Sequence, residues 1–239
     1  MKRPLPLSKT LIRSGLCALV AGVGFTSYVT LVSLLIQKNL ASHTPQPIAT
    51  TVGAGSFGSI QESRQADFMA DIIKLHTPGS TSSRHLAELI VKESARANID
   101  PLFVAAVIKS ESRFSQHATS SKGARGLMQL MPATGRYVSE REKIALKRAE
   151  DLHDPSTNLR IGIAYLKYLE KRFRGDRKHA LIAYNWGPAN LSQSLLGAST
   201  PPQNTLMYAQ TILSVHRDWS RQFTQYALNL DAATKTLVG

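Results

Sequence analysis

The chain has 239 residues, of which 43% are hydrophobic. This fraction excludes a disordered chain and is large enough to build a core. Cys17 is the single cysteine, which excludes an intramolecular disulfide and a metal site built from thiolates. The formal net charge of +13 favours polyanionic partners. No helical pattern combines Arg or Lys on successive turns with base-reading side chains, so we do not expect nucleic acid as a partner.

The N-terminal region carries a membrane-directing segment. Residues 14–36 form a run of 23 residues without a charge, and a bilayer core requires about 20 apolar residues. Four basic residues precede this run: Lys2, Arg3, Lys9 and Arg13. They predict a cytoplasmic N-terminus. A long signal peptide is the alternative, but a poor cleavage signal near residues 39–41 favours an uncleaved anchor. We therefore expect a periplasmic protein tethered to the inner membrane by residues 1–40, or a secreted one if they are cleaved.

Residues 41–79 are interpreted as a linker that includes a short helix over residues 60–75. The first part is rich in Ser, Thr, Gly and Pro, which is typical of linkers. Gly53, Gly55 and Gly58 match the pattern G-x-G-x-x-G. No second strand follows them, so a dinucleotide site is not expected.

From about residue 80 the pattern is helical and strand patterns are almost absent. Ser83 is predicted to cap one helix, and Asp-Pro pairs at residues 100–101 and 154–155 predict two more helix starts. Further helices are predicted over residues 177–186 and 203–221. The expected fold class is all-α: one compact domain over residues 80–222, with a C-terminal tail over residues 223–239 that shows no pattern.

Glu111 is placed unusually for a glutamate. It ends the nearly all-round apolar helix that begins after Asp100, where the helix dipole disfavours a negative charge. Desolvation at the edge of a buried helix is expected to raise its pKa, as a general acid near neutral pH requires. The alternative is a surface glutamate that forms an ion pair with Lys109 or Arg113, and these residues alone favour that alternative.

Two later segments bear on this choice. Residues 118–134 contain Gly123 and Gly126, whose spacing suggests unusual dihedral angles or the close approach of a ligand. Residues 183–187 bring a phenol, an amide and an indole together before a glycine, which suits sugar binding. Capping of a helix end by Asn185 or Gly187 explains the same residues equally well.

The segments resemble, in order and spacing, the lytic transglycosylase domain of the soluble-transglycosylase type, which is related to goose-type lysozyme. The resemblance covers residues 100–215, about half of the chain. Four boxes carry it: Glu111-Ser112 followed by Ala118 to Thr134; Asp154-Pro155 with Asn158, Gly162 and Tyr165-Leu166; Ala183 to Gly187; and Asn204-Thr205 with Tyr208. In the last box an asparagine stands where the family usually has a glutamate. The resemblance implies a compact lysozyme-like helical domain.

The resemblance also implies a substrate and a set of roles. The substrate would be the glycan strands of peptidoglycan, cleaved at the β-1,4 bond between N-acetylmuramic acid and N-acetylglucosamine. Glu111 would protonate the glycosidic oxygen and then act as a base. The substrate-binding residues would be Ser120, Met128, Gln129, Tyr184, Asn185 and Tyr208. Met128 and Gln129 would line the subsite at the scissile bond, and Tyr208 would bind Glu111 or the reacting sugar.

A second catalytic carboxylate is not evident in the sequence. Most glycosidases use two, about 5–5.5 Å or about 6.5–9.5 Å apart. No Asp or Glu occurs between Glu111 and Glu140, and Asp154 is better explained as a helix cap. A lone acid/base suits a reaction in which the N-acetyl group stabilises the anomeric carbon and O6 closes a 1,6-anhydro ring. No cofactor is expected, and no metal, because the seven histidines form no pair at i, i+4.

Three alternatives remain open at the level of sequence. They are a goose-lysozyme-like hydrolase, a non-catalytic protein that binds peptidoglycan, and a basic DNA-binding helical domain. The presence of Glu111, Gln129, Tyr184 and Asn185 argues against the second. General wall turnover and a local role beside envelope-spanning machinery are equally compatible with the sequence, as are endolytic and exolytic action.

Overall fold

The computed structural model describes residues 56–77 and 81–238. These residues belong to a single structural unit, Val52–Gly239. The predicted anchor at residues 14–36 lies outside the described residues. None of the helices in the described part of the chain is long and apolar enough to span a membrane.

Eight α-helices and one 3₁₀ helix make up most of the described chain. They are α1 (Ser56–His76), α2 (Ser83–Ala97), α3 (Pro101–Ser112), α4 (Pro132–Glu142), a 3₁₀ helix (Ala149–His153), α5 (Pro155–Arg172), α6 (Arg177–Trp186), α7 (Pro188–Leu195) and α8 (Gln203–Val238). Extended pairing within the described residues is limited to two isolated bridges, which join Arg125 to Thr119 and to Leu130. The predicted all-α class is confirmed for this part of the chain.

The two Asp-Pro pairs begin helices as predicted. The Asp100 carboxylate accepts a hydrogen bond from Leu102 N at 2.9 Å, and the Asp154 carboxylate accepts one from Thr157 N at 2.8 Å. Each satisfies a backbone donor that the first turn leaves unpaired. The prediction for Ser83 is wrong, because it is the first helical residue and the preceding residue occupies the N-cap position.

Helix α3 is the buried centre of the fold. All seven residues from Leu102 to Ile108 are buried, so the helix has no solvated face over two turns. It packs against α8, α2 and α1. A helix enclosed in this way holds its last turn, which carries Glu111, in a fixed position.

Helix α1 is longer and more deeply packed than the sequence predicted. It runs from Ser56 to His76 instead of over residues 60–75. Five of its side chains are buried in the core: Ala66, Phe68, Met69, Ile72 and Ile73. It packs mainly against α2. The sequence obscured this packing because the helix follows a stretch typical of linkers.

The C-terminal region also differs from the prediction. Helix α8 was expected over residues 203–221, with a patternless tail after it, but it continues without interruption to Val238. Phe223 is buried, and Asp231 forms an ion pair with Arg64 of α1 at 2.7 Å. Helix α7 was not predicted at all, although Pro188 occupies its first turn.

Replacement of Phe68 by Ala tests whether α1 is part of the folded core. The Phe68 side chain is 1% exposed, and its ring centroid lies 5.5 Å from that of Phe223 and 5.7 Å from that of Tyr226. We expect the free energy of unfolding to fall by about 3–5 kcal/mol, since a large cavity would form. Urea denaturation of the variant and of Lys74→Ala, an exposed control on the same helix, measures the difference. A loss below about 1 kcal/mol for Phe68→Ala would show that α1 unfolds separately.

Candidate active site

Glu111 lies in the last turn of α3, and its carboxylate is contacted by a side chain of α8, the last helix. Tyr208 of α8 donates a hydrogen bond from its hydroxyl to Glu111 Oε1 at 2.5 Å. Lys109, one of the two ion-pair partners considered above, instead places its Nζ 5.4 Å from the centroid of the Trp219 ring. The position of Glu111 is therefore set by the packing of α3 against α8.

Burial raises the pKa of Glu111 to about 7, and the hydrogen bond from Tyr208 acts in the opposite direction. Burial disfavours the charged carboxylate, whereas a donated hydrogen bond favours it. No carboxylate among the described residues contributes to the raised pKa. Near neutral pH the group is thus divided between its acid and its base form, which is the condition for accepting and returning a proton.

Two phenols share this environment and stay protonated. Burial raises the pKa of Tyr184 and of Tyr208 well above the ordinary value, and the negative charge of Glu111 raises both further. Tyr184 donates its hydroxyl hydrogen to the backbone carbonyl of Met128 at 2.8 Å. Tyr208 and Tyr184 therefore act as hydrogen-bond donors beside Glu111.

A buried amide, that of Asn158, ties the segment over residues 118–131 to α5 and to the 3₁₀ helix. Asn158 of α5 is fully buried, and its Oδ1 accepts a hydrogen bond from Met128 N at 2.8 Å. Its Nδ2 donates to the carbonyls of Arg125 at 3.0 Å and Leu152 at 2.7 Å. One side chain thus satisfies three backbone groups that burial would otherwise leave unpaired.

Two glycines allow this segment to lie close to its neighbours. Gly126 has φ of +74°, and a side chain there would collide with the carbonyl of Leu152 and the amide of Asn158. A side chain at Gly162 would collide with the side chain of Met128. The spacing of Gly123 and Gly126 in the sequence indicated unusual dihedral angles, and both residues have positive φ.

Gln129 presents a fixed amide. Its backbone has φ of 46°, and its Nε2 donates to the carbonyls of Ala118 at 3.1 Å and Gly126 at 2.9 Å. Because both partners are acceptors, the amide orientation is determined and Oε1 is the remaining acceptor. The side chain is half-buried, as a ligand-binding amide would be.

Met128 and Ser120 make contacts that the sequence did not predict. The Met128 side chain is fully buried and packs against Gly162, so its backbone carbonyl, not its thioether, contacts Tyr184. Ser120 Oγ accepts a hydrogen bond from Ala124 N at 3.0 Å within the turn. The substrate-binding roles of both residues stay predictions.

Asn185 is exposed at the end of α6. Its Oδ1 accepts a hydrogen bond from Thr205 Oγ1 at 3.1 Å, and Thr205 is itself buried. Gly187 ends the helix with φ of +97°. The capping role therefore belongs to Gly187. Asn185 is oriented by Thr205, which leaves its Nδ2 as a donor for a ligand.

A family model for the transglycosylase SLT domain matches residues 88–207, half of the chain. The chain belongs to this family. Glu111, the segment over residues 118–131, Asn158 and Tyr184 all lie within the matched range, and Tyr208 is the next residue after it.

Individual members of the SLT family show the extent of the similarity. The chain is 30% identical to the soluble lytic murein transglycosylase of Salmonella typhimurium over 126 residues, 52% of this chain and 19% of that protein. It is 38% identical to the transglycosylase of Enterobacteria phage PRD1 over 113 residues, 47% of this chain and 38% of that protein. The chain thus spans about a fifth of the first relative and two fifths of the second.

Solved structures agree with this assignment. An inactive glutamate-to-glutamine mutant of the lytic transglycosylase Slt from Pseudomonas aeruginosa superposes with a TM-score of 0.55 and 29% identity. The match covers 64% of this chain and 26% of that one. The shared part is larger than the SLT family match, so the likeness of fold extends beyond residues 88–207.

The other acidic residues near the SLT motifs are engaged elsewhere. Glu150 is exposed and forms an ion pair with Arg125 at 2.7 Å. Asp151 accepts hydrogen bonds from the backbone of the residues that precede its 3₁₀ helix, and Asp154 caps α5. The placement of Asp154 agrees with the capping role expected from the sequence.

Two supporting residues, Asn158 and Thr205, were not predicted as part of the site. Both were present in the motifs that carried the family resemblance. No local signal distinguishes them, because Asn158 follows Ser156-Thr157 and Thr205 follows Gln203-Asn204, and a polar residue needs protein partners only when it is buried. Their partners are distant in sequence, so only the fold identifies them.

Replacement of Asn158 by Ala is expected to lower the free energy of unfolding by about 3 kcal/mol or more. Met128 N and the carbonyls of Arg125 and Leu152 would lose their buried partner. Urea denaturation measures the loss, with the exposed Asn229→Ala as control. Equal stability of the two variants would show that the three hydrogen bonds of Asn158 do not stabilise the fold.

Replacement of Glu111 by Gln is expected to stabilise the protein at high pH. The folded-state pKa of about 7 exceeds the ordinary 4.5, so the folded protein binds more protons than the unfolded chain between these values. The stability of the wild type therefore falls as pH rises through this range. The Gln variant lacks this loss and should exceed the wild type by about 3 kcal/mol at pH 8.

Urea denaturation at pH 4 and pH 8 measures this difference, and the two proteins should be nearly equally stable at pH 4. Glu140→Gln, on the exposed part of α4, serves as the matched control and should show no such difference. A stability gap for Glu111→Gln that is independent of pH would contradict a raised pKa.

Proposed function

We propose that this chain is a lytic transglycosylase of peptidoglycan that cleaves the β-1,4 bond between N-acetylmuramic acid and N-acetylglucosamine without adding water. Glu111 would be its sole catalytic acid and base. The observation that carries the proposal is the isolated, buried carboxyl of Glu111, with a pKa of about 7 and a hydrogen bond from Tyr208.

In the first step the protonated Glu111 gives its proton to the glycosidic oxygen as the bond from that oxygen to the anomeric carbon breaks. The carbonyl oxygen of the N-acetyl group stabilises the positive charge that develops on this carbon. Glu111 Oε1 already accepts from Tyr208, so the proton leaves from Oε2. A raised pKa keeps the carboxyl protonated for this step.

In the second step the Glu111 carboxylate takes the proton from O6 of the muramic residue. O6 then bonds to the anomeric carbon and closes a 1,6-anhydro ring, which returns Glu111 to its acid form. The hydrogen bond from Tyr208 stabilises the carboxylate between the two steps. No second carboxylate is required, because the substrate supplies both the stabilising oxygen and the nucleophile.

The sugar would be bound by groups that the fold holds in fixed orientation. Gln129 offers Oε1 and Asn185 offers Nδ2, each fixed by hydrogen bonds to its other end. Tyr184, whose hydroxyl donates to the carbonyl of Met128, lies near Glu111. The names of the relatives support the reaction, and the solved Slt structure is of an inactive protein in which a glutamate is replaced by glutamine.

The cellular setting is also part of the proposal. We infer that residues 14–36 anchor the chain in the inner membrane, supported by their lack of charge and by the basic residues before them. The site would then act in the periplasm, in general wall turnover or beside envelope-spanning machinery.

The test is digestion of purified cell wall, followed by mass spectrometry of the products. We expect 1,6-anhydro ends from the wild type, a fall in rate of about 10³-fold or more for Glu111→Gln, and no change for the exposed control Glu140→Gln. Thermal unfolding of each variant confirms that the fold is retained.

Two other outcomes would replace the proposal. Reducing ends that contain the oxygen of labelled water would identify a hydrolase of the goose-lysozyme kind. Binding of peptidoglycan by the wild type, without any product and without an effect of Glu111→Gln, would identify a non-catalytic binding protein.

A further inference from the structure

A concave surface lies outside the set of residues assigned to the candidate active site. It is a groove of about 510 Å³ between α2, the end of α4 and one face of α5. Its lining residues are Glu93, Arg96, Ala97, Arg141, Glu142, Ile144, Arg160, Ile163, Ala164, Lys167, Tyr168 and Lys171. None of the residues assigned to the candidate active site is among them. We call this surface the α2–α5 groove.

The α2–α5 groove is basic. Five of its lining residues are cationic and two are anionic. Both anions are paired within the groove, Glu93 with Arg96 at 3.1 Å and Glu142 with Arg141 at 3.1 Å. The remaining cations are Arg160, Lys167 and Lys171, which lie on one face of α5 because they are separated by seven and four residues.

The three cations of α5 differ in what they contact. Lys167 donates a hydrogen bond from Nζ to the carbonyl of Ala97, at the end of α2. Arg160 and Lys171 are exposed and form no ion pair with any described residue. Arg160 and Lys171 thus bring two positive charges, without ion-pair partners in the described part of the chain, to the lining of the groove. These charges favour a ligand that carries at least two negative groups.

A chain of aromatic rings connects the groove to the candidate active site. Tyr168, which lines the groove, stacks on Tyr165 with ring centroids 6.2 Å apart. Tyr165 contacts Tyr184 with centroids 5.4 Å apart, and Tyr184 lies beside Glu111. One ring, that of Tyr165, therefore separates Tyr168 of the groove from Tyr184 beside Glu111.

We propose that the α2–α5 groove binds the carboxylate-bearing peptide attached to the muramic residues of the substrate. This inference rests on the proposed function, which supplies a glycan strand substituted with such peptides. Arg160 and Lys171 would bind carboxylates of the peptide. The alanine methyl groups of the peptide would pack on the apolar floor formed by Ile144, Ile163 and Ala164.

Two other polyanions fit the groove less well. A bilayer presents a flat surface, whereas these cations line a concavity with an apolar floor. A single-stranded nucleic acid would need an open aromatic face for base stacking. The face of Tyr168 is already covered, since the guanidinium carbon of Arg141 lies 4.9 Å from its ring centroid. An acidic peptide uses both the charge and the apolar floor.

The experiment measures binding of the free tetrapeptide L-Ala-γ-D-Glu-meso-diaminopimelate-D-Ala to the full chain by calorimetry at low salt. The test variant combines Arg160→Glu and Lys171→Glu, and the matched control combines Lys178→Glu and Arg217→Glu, both exposed and outside the groove. We expect at least a tenfold rise in Kd for the groove variant and none for the control. Added salt should weaken binding by the wild type.

Peptide binding is measured without catalysis, so a failure of this proposal can be distinguished from a failure of the proposed function. Loss of binding in the groove variant only, with unchanged cleavage of glycan strands freed of peptide, supports the proposal. The proposal is overturned if the wild type does not bind the peptide, if a peptide with its carboxylates amidated binds equally well, or if both double variants bind alike. Preferential binding of anionic vesicles or single-stranded DNA would also overturn it. Circular dichroism verifies that each variant is folded.

Discussion

The burial of one carboxyl group at the end of a buried helix is the constraint on which the site depends. The last turn of α3 places Glu111 where both the helix dipole and desolvation disfavour its charge. The hydrogen bond from Tyr208 favours the charge and lowers the pKa, and the two effects together leave it at about 7. The balance between these effects makes the group able to exchange a proton near neutral pH, at some expense of stability.

The elements around Glu111 are arranged by hydrogen bonds of neutral side chains rather than by charge. Asn158 fixes three backbone groups around the segment over residues 118–131, and that segment in turn orients Gln129. Thr205 orients Asn185 from the opposite side. Neutral amides and hydroxyls can be buried when each is satisfied, whereas a second buried charge beside Glu111 would alter its pKa.

The helices outside the SLT family match support this arrangement. Helix α1 and the extension of α8 meet through the rings of Phe68, Phe223 and Tyr226. Because α8 carries Tyr208, the contacts that hold its C-terminal half also hold the partner of Glu111. His216, on the same helix, reaches Asp100 at 2.6 Å and ties α8 to the first turn of α3. Both ends of α3 are thus joined to α8.

Some features of this protein were determined by sequence alone. The Asp-Pro pairs begin α3 and α5 because proline and an acidic cap act locally. The apolar run from Leu102 to Ile108 predicted the burial of α3, and the motif boxes indicated the family and made Glu111 the candidate acid. Local chemistry and residue order suffice for these features.

Other features were decided only by the tertiary structure. The burial of Glu111 and its raised pKa belong to the tertiary structure, because the contact with Tyr208 comes from a helix residue nearly a hundred positions away. The full lengths of α1 and α8 depended on packing, of α1 mainly against α2 and of the C-terminal half of α8 against the rings and charges of α1. The α2–α5 groove likewise exists only where three helices meet, and a charge pattern along one chain does not show which cations converge.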